Sequence, residues 1–108
     1  MGEKLNKFLA KPIEVKIGGE AFMIKPFTIG DLPMIQRMGS KEEAISIKAT
    51  QEAIFKVFKQ IDPECTEEDI KGVSMRFIED IMNAIGKAND IDVDEAKQKL
   101  LEKHGKAE

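Results

Sequence analysis

The stretch that most constrains the fold is Pro12 to Leu32, PIEVKIGGEAFMIKPFTIGDL. Ile13, Val15 and Ile17 alternate with Glu14 and Lys16, the period of a half-buried strand. Gly18-Gly19 follows, a two-residue loop that tolerates positive φ and closes a tight hairpin. A loop of that length sets the register: Ile17 opposite Glu20, Val15 opposite Phe22, Ile13 opposite Ile24. Ile13, Val15, Phe22 and Ile24 then share one apolar face, and a slip of one residue would turn one strand inside out. A lone hairpin is marginal in water. This one is therefore predicted to rest on the helices that follow.

Those helices are announced by their start signals. Thr28-Ile29-Gly30-Asp31 has the form of a capping box with Asp for the usual Glu. The alternative is Asp31 as N-cap, with Pro33 in the first turn, where its missing N–H costs nothing. The second is preferred and predicts a short helix over about 32–38, stopped by Gly39. Ser40-Lys41-Glu42-Glu43 reads as a full capping box and predicts the longest helix over about 41–61. Its apolar stripe is Ile47, Ile54, Val57, Phe58 and Ile61. Thr66-Glu67-Glu68-Asp69 predicts a short helix over about 67–71. Ser74 caps another over about 75–88, with Phe77, Ile78, Ile81, Met82, Ala84, Ile85 and Ala88 on one side. Asp92-Val93-Asp94-Glu95 is a further capping box, opening a sparsely apolar helix to about Lys103. Residues 1–11 place Leu5, Phe8 and Leu9 at helical spacing, which fits a short amphipathic turn or a frayed terminus equally well. The tail 104–108 is expected to be flexible.

The resulting expectation is a single α+β domain over residues 1–108. It is mostly α, with an N-terminal β-hairpin packed on four or five helices. At 108 residues the chain suffices for one core and not for two. The expected core comprises Ile13, Val15, Phe22, Ile24, Ile47, Ile54, Phe58, Phe77, Ile81 and Ile85.

Composition narrows the function. A hydrophobic content of 42% with 34% charged residues is that of a globular chain with a solvated surface. No apolar run reaches the length of a membrane span, and the first residues lack the h-region of a secretory signal, so the cytoplasm is the expected compartment. Net charge is −3, and only Arg37 and Arg76 among the 17 basic residues are arginine. With no Trp or Tyr to interleave, nucleic-acid binding is disfavoured. Cys65 and His104 are the only residues of their kinds. One of each supplies neither a disulfide nor a zinc site of the usual kind. The run from Asp90 to Glu95 has the odd-position acids of a calcium loop. It lacks the glycine at loop position six and the glutamate at twelve, where Leu101 stands. The acid pairs at helix starts are accounted for by capping and the helix dipole. No catalytic residue, metal site or cofactor is expected.

The run IEVKIGGEAFMIKPFTIGDLPMIQ, the capped amphipathic helix after it and the acidic Pro-Glu-Cys-Thr-Glu-Glu-Asp connector resemble the tail assembly chaperones of long-tailed phages and prophages. The matching positions are Val15, Ile17, Gly18, Gly19, Phe22, Ile24, Lys25, Pro26 and Phe27, then Gly30, Asp31 and Leu32, within a resemblance that covers about residues 12–85. The resemblance implies a non-enzymatic protein that binds the tape measure protein, covers its apolar helical stretches and helps recruit tail tube protein. A structural virion protein or general protein-interaction domain is the alternative, and a small nucleic-acid-binding regulator a more distant one. Ile45 and Phe55, off the main stripe of the long helix and flanked by Lys41, Lys48, Glu52 and Lys59, are candidate partner-binding residues. Leu100 and Leu101 on the last helix are a second candidate pair. The competing expectation is that both pairs pack internally, and a third is a homo-oligomer through the same patches.

Overall fold

In the computed structural model, which describes residues 3–91, the chain is α+β and mostly α. The order is α1 (Glu3–Asn6), β1 (Ile13–Ile17), β2 (Glu20–Ile24), a 3₁₀ turn (Ile29–Asp31), α2 (Leu32–Met38), α3 (Glu43–Ile61), α4 (Glu67–Lys71), a second 3₁₀ turn (Met75–Phe77) and α5 (Ile78–Asn89). The helix expected over 92–103 lies outside the described residues.

β1 and β2 form an antiparallel hairpin in the register that the loop length dictates, with Val15 opposite Phe22 and Ile13 opposite Ile24. Gly18 and Gly19 have φ of +61° and +82°, the positive pair that matches the strands' right-handed twist. Val15 and Ile24 are 1% exposed, and Ile17 is buried beside them. Phe22 and Ile13 are half-buried rather than enclosed. The hairpin lies on α5 through β1 and on α3 through β2.

Three side chains distant in sequence bolt it down. The Gly18 amide donates to Asp80 Oδ2 at 2.9 Å. The Phe27 amide donates to Asn89 Oδ1, whose Nδ2 in turn donates to the Ile85 carbonyl at 2.8 Å. Gln60 bonds both backbone groups of Lys25. Each bond gives a partner to a backbone group that two strands alone leave unpaired.

The first helix start resolves both sequence alternatives at once. Asp31 occupies the N-cap position of α2, yet its carboxylate turns back to accept from the Thr28 amide at 2.9 Å. It also meets Lys56 Nζ at 3.2 Å, which ties this corner to α3. The Ser40 box does not form. Ser40 N–H donates to the Arg37 carbonyl at 3.0 Å, so Ser40 completes the end of α2. α3 begins two residues later than expected, at Glu43.

α3 buries Ile54 and Val57 of the expected stripe, but the centre of its buried face is displaced toward small residues. Ser46, Ala49, Thr50 and Ala53 are 0–1% exposed, whereas Ile47, Phe58 and Ile61 are half-buried. Small side chains let α2 and α5 approach closely, and the polar pair is satisfied internally. Ser46 Oγ donates to the Met38 carbonyl, and Thr50 Oγ1 to the Ser46 carbonyl at 2.8 Å. Phe58 and Phe77 pack against the core without being enclosed by it. Phe58→Ala therefore costs less than the roughly 3–5 kcal/mol of a fully buried phenylalanine.

The Thr66 box forms as read: Asp69 N–H donates to Thr66 Oγ1 at 3.2 Å and Thr66 N–H to Asp69 Oδ2 at 2.9 Å. α5 buries Ile78, Ile81, Met82, Ala84, Ile85 and Ala88. It ends with Asp90 in the left-handed region and Ile91 N–H donating to the Gly86 carbonyl, a six-to-one closure. No helix of the described residues is long and apolar enough to cross a membrane.

Candidate functional site

α3 ends at Ile61, and the chain turns through Asp62-Pro63. Lys59 Nζ donates to the Pro63 carbonyl at 2.7 Å, and Glu64 N–H to Asp62 Oδ1 at 3.1 Å. Cys65 is buried, and its N–H donates to the Asp62 carbonyl at 3.0 Å. α4 is thereby held beside α3 with a gap between them. Gly72 then stops α4, and Ser74 caps the 3₁₀ turn by accepting from Arg76 N–H at 3.2 Å.

The gap is a groove of about 440 Å³. One wall is the α3 stripe Lys48, Gln51, Glu52 and Phe55, at spacings of three, four and seven residues from Lys48. The opposite wall is Ile70, Val73 and Met75, all half-buried, with Glu67 and Lys71 at the rim. Ile54, Ile78 and Ile81 close the floor. At the rim Arg37 meets Glu52 at 3.0 Å, and Lys71 lies 3.6 Å from Glu68. The lining is apolar below and charged above, the arrangement of a surface that binds by burial and stays solvated when empty.

Of the sequence-predicted residues, Phe55 lines this groove, half-buried, with Lys59 Nζ 5.8 Å from its ring centroid. Ile45 is 40% exposed and is not part of the lining. Ten residues of helix separate the two by about 15 Å along the axis and about 80° around it, so they do not form one patch. Leu100 and Leu101 lie outside the described residues. Ile70, Val73 and Met75 were not legible as a wall. The break at Gly72 interrupts any helical period, and their facing partners are some twenty residues away in sequence.

Other apolar groups face solvent. Ile29 is 90% exposed on its 3₁₀ turn, and Phe8 is 74% exposed after α1. Among the described residues, no three His, Cys, Asp or Glu side chains gather to hold a metal ion. No protein-family model, curated protein or solved structure matches the chain.

Proposed function

We propose that this chain is a tail assembly chaperone of a long-tailed phage or prophage. It works in the cytoplasm, without catalysis, binding the tape measure protein and assisting assembly of the tail tube. The observation that carries the reading is the run from Val15 to Leu32. Its glycine pair, alternating apolar residues, Lys25-Pro26 step and Gly30-Asp31-Leu32 turn are the positions on which the resemblance rests. The apolar groove with a charged rim fits the same role, because hydrophobic association tolerates varied client sequence.

The test is co-expression with a tape measure protein encoded beside it, followed by co-purification. Ile45→Ser and Phe55→Ser are made separately, because the two residues lie on different faces of α3. Loss of co-purification with Phe55→Ser alone assigns the client to the groove side, and loss with Ile45→Ser alone assigns it to the neighbouring face at the start of α3. No co-purification by the wild-type chain overturns the reading. Retention of the chain in purified tails replaces it with that of a structural virion protein.

A further inference from the structure

The walls of the groove are made of side chains, and the amides of Ile70 and Val73 are already committed. The Ile70, Gly72 and Val73 amides donate to carbonyls within α4 and its closing turn. The Arg76 amide goes to Ser74 Oγ and the Phe77 amide to the Ser74 carbonyl. An extended peptide laid here would find no ladder of donors, whereas a helix satisfies its own backbone and needs only apolar contact. The stripe from Lys48 to Phe55 rises about 10 Å, two turns of helix. That length suits a partner helix with large apolar residues at i, i+3 or i+4, and i+7. Met75 supplies an unbranched, adaptable contact on the facing wall.

The rim adds a sign. Glu52 is engaged by Arg37, and Lys71 lies by Glu68. Lys48 stands on the α3 wall and joins none of the ion pairs among the described residues. Glu67, on the opposite wall, likewise joins none of them. We infer that the groove between α3 and the α4–3₁₀ segment docks an amphipathic helix of a partner protein. That helix carries a carboxylate beside Lys48 and a basic group toward Glu67. Only the partner's identity as a tail protein rests on the chaperone reading; the groove's preference does not.

The probe is a fluorescently labelled synthetic helix of about five turns, with leucines at i, i+3, i+4 and i+7 and glutamates at the Lys48 end. A twin peptide carries lysines in place of those glutamates. Fluorescence anisotropy with the full chain should show the glutamate peptide binding more tightly. Lys48→Glu, an exposed change that leaves the fold intact by circular dichroism, should weaken it by about two- to five-fold and strengthen the lysine twin. Val73→Asp should abolish binding of both. Should Val73→Asp unfold the chain, the Lys48→Glu exchange still decides, because misfolding cannot invert a charge preference. Equal binding of the twins to wild type and Lys48→Glu overturns the inference, as does no binding of either. A sedimenting dimer that Phe55→Ser dissociates, with no peptide binding, overturns it in favour of a second copy as occupant. Peptide binding without tape measure co-purification leaves this inference standing and removes the chaperone reading.

Discussion

Gln60 of α3 bonds both backbone groups of Lys25, its Oε1 accepting from the amide at 2.7 Å and its Nε2 donating to the carbonyl at 3.2 Å. A side-chain amide here takes the place of a neighbouring strand's peptide group. Gln60→Ala should cost about 1–2 kcal/mol, the net worth of two such bonds at an exposed position. Gln60→Glu keeps the acceptor and loses the donor, and its cost should fall between those of alanine and wild type. Urea midpoints at neutral pH check both, with an unchanged m-value as the sign that only stability moved.

Asp31 makes stability depend on pH at the α2–α3 corner. The Thr28 amide, the largest influence, holds its carboxyl below the usual carboxylate value; burial opposes it, and Lys56 adds to the lowering. A depressed folded pKa stabilises the protein above the unfolded value, about 3.9. That contribution is lost as pH falls through the lower, folded value. Asp31→Asn should therefore destabilise at pH 7 and flatten the decline of stability below about pH 4. A variant whose acid limb parallels wild type would remove Asp31 from this role.

Ala49 and Ala53 sit at zero exposure on α3 where neighbouring elements close in. Ala53→Leu should cost about 1–3 kcal/mol or more by overpacking, although leucine is nearly as good a helix former as alanine. Gln51→Ala, on the exposed side of the same helix, should change stability by less than about 0.5 kcal/mol. Thermal melts of the pair separate packing from propensity.

Gly18 combines a positive φ with a close neighbour: a Cβ there would stand 3.1 Å from Phe77 Cε1. Gly19 has the positive φ but open space around it. Gly19→Asn should carry only the cost of the positive φ, which asparagine bears better than most residues. Gly18→Asn should be clearly destabilising, because the ring must give way as well. Comparison of their denaturant midpoints distinguishes backbone strain from the contact.

Elements whose signals are local were legible from the chain itself. The hairpin register follows from a two-residue loop, and Thr66, Ser74 and Gly72 mark boundaries within a few residues of themselves. Ser40 misled because its box pattern competes with the end of α2, a choice made by the Arg37 carbonyl and by Ser46 reaching Met38. The buried face of α3 was legible at Ile54 and Val57 and missed at its small residues for a similar reason. Hydrophobicity ranks Ile47 and Phe58 above Ala49 and Ser46, but close approach of elements selects for small volume. The groove was legible only at Phe55, because its second wall is assembled by tertiary return of the chain after Pro63.

The bolts on the hairpin also set an order of events during synthesis. Gly18 waits for Asp80 and Phe27 for Asn89, each 62 residues further along. At ribosomal rates of about 5–20 residues per second, that gap is roughly 3–12 s in which the first-made strands have no partner for those amides. The N-terminal element is thus among the last to be secured, and a chain released before Asn89 carries an open, apolar-faced hairpin. Purified chains truncated short of that residue should be cleaved by protease within the hairpin, and chains that include it should be protected.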